Sequence, residues 1–91
     1  MPSVTRLVLD VLKPHEPNVL EFAKALSATS GTEIVEARVE AIDAKTESVM
    51  VTLQGENMIF EAIVEAVESM GGSLHSIDEV RVCAGMDELS S

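Results

Sequence analysis

Apolar positions recur along the chain with two different periods, and the switches between them set the predicted order of elements. From Val4 to Leu12, Leu7, Leu9 and Val11 alternate onto one face, while Val8 and Leu12 flank Asp10 on the other. Two largely apolar faces predict a central strand covered on both sides. Lys13-Pro14-His15-Glu16-Pro17 follows, and two prolines in four residues mark a stiff loop, with Pro17 suited to a first helical turn. Val19, Phe22, Ala23 and Leu26 then fall at i, i+3, i+4 and i+7, the stripe of a helix from about Pro17 to Ala28 that Ser30-Gly31 ends. From Glu33 to Asp43 the period returns to two: Val35, Ala37, Val39 and Ala41 point one way, and Glu36, Arg38 and Glu40 the other. A turn at Ala44–Glu47 leads to Val49, Val51 and Leu53, which alternate with Met50, Thr52 and Gln54, so the two segments read as an antiparallel hairpin. The helical stripe recurs at Phe60, Ile63, Val64 and Val67, with Asn57 as the expected N-cap and Gly71-Gly72 as the stop. A last strand spans about Ser73 to Cys83, and its alternation changes phase between Ile77 and Val80, which predicts a bulge near Asp78-Glu79.

The resulting order is β-α-β-β-α-β. Each β-α-β half requires a right-handed crossover, so both helices land on one sheet face. The expected fold is therefore an α+β, ferredoxin-like sandwich with a four-stranded antiparallel sheet and two helices on one side. One domain should fill residues 1–91, with an ordered core over 4–84 and an acidic tail over 85–91. Two helices leave the other sheet face to water or a partner, and whichever face of the first strand turns outward carries aliphatic residues. A homo-oligomer is expected on that ground.

Composition narrows the partners. Sixteen acidic residues against six basic ones give a net charge of −10, which repels phosphate backbones and argues against a nucleic-acid role. With Phe22 and Phe60 as the whole aromatic complement, there is no platform for stacking bases. Cys83 is the lone cysteine, so neither an intrachain disulfide nor a CxxC motif exists, and a reducing compartment fits. No signal-like segment or apolar run of about 20 residues occurs, which points away from the membrane and toward the cytoplasm.

Two stretches are distinctive: Arg6-Leu7-Val8-Leu9-Asp10-Val11-Leu12-Lys13-Pro14-His15-Glu16-Pro17, and Gly71-Gly72-Ser73-Leu74-His75-Ser76-Ile77-Asp78-Glu79-Val80. In both, the chain resembles the small archaeal family catalogued as domain of unknown function 211, and the resemblance covers nearly the whole sequence. It implies a ferredoxin-like fold, ring-like or stacked homo-oligomers and, in some members, binding of divalent cations such as calcium. It implies no established activity.

Three groups of residues carry candidate chemistry. Asp10, Lys13, His15 and Glu16 surround a rigid loop that could hold a ligand, or that could simply join strand to helix. His75 starts the last strand, which in an antiparallel pairing with the first lies near Asp10, Lys13 or His15. Two histidines and a carboxylate there could ligate zinc or another transition metal. The carboxylate pairs Glu36/Glu40 and Asp78/Glu79 could contribute to a hard-cation site if subunits pooled their ligands, since calcium takes six to eight oxygens. Their alternative role is a solvated, charge-paired surface. No P-loop, GxGxxG, HExxH or GxSxG motif occurs. The expected function is a non-enzymatic, oligomeric ligand- or divalent-cation-binding module of a regulatory kind. The alternatives are a small enzyme using His15, His75 and Lys13, and an interaction scaffold without a small ligand.

Overall fold

A computed structural model describes residues 1–85. The elements are β1 (Ser3–Pro14), α1 (Val19–Ser27), β2 (Thr32–Ile42), β3 (Thr46–Gly55), α2 (Phe60–Ser69) and β4 (Ser73–Cys83). The strands form one antiparallel sheet in the order β2-β3-β1-β4, with β1 and β3 central and β2 and β4 at the edges. This is the ferredoxin-like arrangement expected from the periodicity. The expected acidic tail falls, from residue 86 on, outside the described residues.

Period-two alternation puts Leu7, Leu9 and Val11 of β1 and Val49, Val51 and Leu53 of β3 on one face. They pack against Phe22 and Leu26 of α1 and Ile63 and Val67 of α2, all buried. Val8, Asp10 and Leu12 form the outward face of β1, which settles the choice the sequence left open. The ladders slip at five places. Each slip leaves one residue with no opposite number: Thr5 in β1, Glu33 and Glu40 in β2, His75 and Asp78 in β4. The slip at Asp78 is the expected phase change. The slip at Glu40 corrects the expectation for Ala41, which pairs with Ser48 and so leaves the helix-covered face shared by Val35, Ala37 and Val39.

The helix ends follow local chemistry. Asn18, one residue beyond Pro17, caps α1 by accepting the Glu21 N–H at 2.9 Å. Asn57 does not cap α2. It takes a left-handed backbone (φ 53°) and donates its N–H to Ser3 Oγ, and the cap position is Ile59. At the far end of α2, Gly71 N–H bonds the Glu68 carbonyl and Gly72 N–H bonds that of Val67, each at 3.0 Å. Those two bonds define a Schellman motif, with Gly71 at φ 85° supplying its left-handed residue. No helix among the described residues is long and apolar enough to cross a membrane.

Candidate functional site

The position after Val11 on the helix-facing side of β1 is Lys13, and its side chain is fully buried. A buried ammonium is costly unless it is paired and hydrogen-bonded. Its Nζ donates to the Pro14 carbonyl at 2.8 Å and to Glu47 Oε1 at 3.0 Å, and it lies 5.9 Å from the centre of the Phe22 ring. Glu47 is available because the β1–β3 register sets it directly opposite Lys13. Its second oxygen meets His15 Nδ1 at 3.1 Å, and His15 Nε2 lies 3.1 Å from the Ala44 carbonyl. The stiff loop after β1 is thereby clasped to the β2–β3 turn.

The protonation state follows from the partners. A carbonyl oxygen and a carboxylate both only accept, so both His15 contacts are hydrogen bonds when the ring is protonated. The Glu47 hydrogen bond, helped by the Ala44 carbonyl, raises the His15 pKa above its ordinary 6.5. In turn the bonds from His15 and then Lys13 hold Glu47 below its ordinary 4.5. With His15 protonated, the cluster is a Lys⁺/Glu⁻/His⁺ clasp. In the protonated form both His15 nitrogens are engaged, and the Lys13 side chain is fully buried.

The remaining sequence candidates are placed apart. Asp10 faces the opposite side of the sheet from Lys13, between Met50 and Ser76 on its neighbouring strands. Glu16 is exposed on the loop, next to a cis peptide to Pro17. His75 is exposed at its bulge, and among the described residues no hydrogen bond joins it to Asp10, Lys13 or His15. The carboxylate pairs are divided between other partners. Glu40 meets Arg38 Nε at 2.9 Å, Glu79 meets Arg6 Nε at 2.7 Å, and Asp78 accepts the Ser76 hydroxyl at 2.6 Å. Glu36 lines a shallow hollow of about 300 Å³ with Arg38, Met50 and Thr52. Among the described residues no three His, Cys, Asp or Glu side chains converge where they could hold a metal ion, so neither the zinc site of His15 and His75 nor a one-subunit calcium site is assembled.

Sequence reasoning missed Glu47, the centre of the clasp. The available signal was the hairpin itself: once β3 pairs antiparallel with β1, the end of β1 must meet the start of β3, where Glu47 is the one acid.

Comparison with known proteins gives a consistent picture. The model of the family "domain of unknown function 211", described as uncharacterized ArCR, matches residues 5–89. An uncharacterized protein of Methanocaldococcus jannaschii is 48% identical over 80 residues, which cover 88% of this chain and 82% of the relative.

Proposed function

Because the chain belongs to the uncharacterized ArCR family, domain of unknown function 211, we propose its role from its geometry: a self-associating module that joins copies through the β4 edge and holds ligands or divalent cations. The observation that carries the reading is the state of β4. Ile77 and Val80 pair with Leu9 and Leu7 and so share the core face, yet they are 50% and 56% exposed, and Val82 is 53% exposed. The helix layer covers Leu74 of this strand and leaves these three half bare. This edge of 11 residues has half-bare aliphatic side chains and neither Lys nor Pro, so its two bulges and its charges at Asp78, Glu79 and Arg81 are what stand against pairing. Covering the remaining surface of these three residues is worth about 1 kcal/mol each per copy, before any ladder hydrogen bonds.

Asp78 is the central residue of β4 and one of its bulges. A two-fold ladder between two β4 strands centred there sets both copies' Asp78 side by side. In this reading a cation such as calcium gathers carboxylates from two subunits that a single subunit keeps apart.

Light scattering on chelator-stripped protein tests the assembly. The wild type is expected to run as an oligomer and Val80→Glu as a monomer; a wild type that stays monomeric at high concentration overturns the reading. Calcium is expected to raise the melting temperature of the wild type and not of Asp78→Asn. An unchanged wild-type melting temperature removes the cation from the proposal.

A further inference from the structure

The outer sheet face carries a trough of about 320 Å³ that crosses all four strands near the start of β1. Arg81 of β4 and Arg6 of β1 line one end, Gln54 of β3 lies between, and Glu33 and Ile34 of β2 with Glu56 line the other. Arg6 and Arg81 are direct cross-strand partners. Like charges placed opposite one another destabilise a sheet, and this chain has six basic residues in all, two of which are committed here. Glu79 occupies only the Nε of Arg6, leaving most of that guanidinium's donors unused. Among the described residues Arg81 makes no ion pair, and its side chain is exposed.

The backbone is adapted at the same place. Thr5 and Glu33 are both bulge residues, and bulges re-aim neighbouring side chains and recur beside binding sites. Gly55 sits so close to the Gly31 carbonyl that any Cβ there would stand 1.9 Å from its oxygen. That approach lets the Glu56 N–H bond to Gly31 O at 3.0 Å and fixes Glu56 at the rim.

We propose that this trough binds a small extended zwitterion, with its carboxylate on Arg6 and Arg81 and its ammonium on Glu33 and Glu56. Two strand spacings separate the ends, roughly 10 Å along the sheet. That span suits a ligand whose charges are several bonds apart, as in a dipeptide or in lysine, and the Gln54 amide meets its middle. The field of the chain selects against a simple anion. A phosphate must approach a body of charge −10 and lie beside Glu33, Glu56 and Glu79, whereas a dipeptide is neutral and lysine carries a net charge of +1, so neither meets long-range repulsion. The inference deepens the ligand-binding half of the function proposed above and does not depend on self-association.

The test is calorimetric titration of the full chain with glycylglycine, lysine, N-acetylglycylglycine, glycylglycinamide and inorganic phosphate, with light scattering on the same samples. At least one of glycylglycine and lysine is expected to bind, and the tighter of the two tells a peptide from a diamino acid. Blocking either end of the dipeptide, or introducing Arg81→Gln or Glu56→Gln, is expected to weaken binding roughly tenfold, as for loss of one charge-assisted hydrogen bond. Phosphate binding more tightly than both zwitterions, equal binding of the blocked peptides, or no saturable binding by either zwitterion overturns the proposal. A monomer that binds the zwitterion defeats only the assembly reading, and an oligomer that binds neither defeats only this one.

Discussion

Lys13 is the residue whose environment constrains the fold most tightly, because a buried cation has a definite list of needs. Lys13→Ala removes both the charge over Phe22 and a fully buried stem, and urea unfolding is expected to show a loss of about 3 kcal/mol. Lys13→Met keeps the stem and leaves no buried cation, and Glu47 retains His15, so its cost should be less than half as large. Equal costs would mean that the ion pair, not the packing, carries the effect. The His15–Glu47 bond makes stability depend on pH with a definite sign. The raised His15 pKa contributes stability that is complete below 6.5 and lost as pH rises through the higher folded value. The lowered Glu47 pKa contributes stability present above 4.5 and lost as pH falls through the lower folded value. Melting temperature relative to His15→Gln should therefore be greatest between 4.5 and 6.5 and decline on the alkaline side; a constant difference across pH would show that the clasp does not titrate. Half of this site was legible in the sequence. Lys13 and His15 stood out because prolines stiffen the segment around them. Glu47, 34 residues from Lys13, looked like an ordinary turn residue until strand register placed it.

At the scale of elements, legibility depended on how strongly a pattern breaks. The bulge at Asp78 could be read because Ile77 and Val80, three apart, cannot share a face on a regular strand. The bulge at Glu40 could not, because Ala41 is small and serves on either face. Asn57 shows the same limit: its side chain fits a cap, but its N–H is engaged by Ser3 from β1, and that tertiary contact outweighs the local preference. The Schellman end of α2 is the opposite case, because two adjacent glycines leave little ambiguity. Its left-handed residue supplies a prediction. At Gly71, φ is 85° and an added Cβ would lie 3.3 Å from Pro14 Cγ, so Gly71→Ala is expected to cost about 1 kcal/mol in urea unfolding. An unchanged midpoint would show that the α2–β4 connection does not depend on the left-handed conformation.

The whole molecule sets two tendencies against each other. Its edge strands invite pairing: of the large aliphatic side chains exposed on strands, Ile34 and Ile42 lie on β2 and Ile77, Val80 and Val82 on β4, leaving only Leu12 in the interior of the sheet. Its charge of −10 keeps copies apart. Joining β4 to β4 is isologous and closes at two copies, whereas joining β4 to β2 is head-to-tail and continues into a ring or filament. Ile42→Lys should leave the first assembly intact and disrupt the second, so its mass by light scattering decides the symmetry. Salt acts on the repulsion, since the screening length falls from about 30 Å at 0.01 M to about 3 Å at 1 M. Sodium chloride raised from about 0.01 M to about 0.5 M is therefore expected to tighten association, on the order of tenfold in the dissociation constant. Weakening instead would mean that ion pairs across the interface, rather than aliphatic burial, hold the copies together. The same titration separates a bound cation from a screening one. Millimolar calcium adds little ionic strength, so an increase in mass with calcium that matched sodium does not produce requires coordination between subunits, and its loss in Asp78→Asn would locate the ligands.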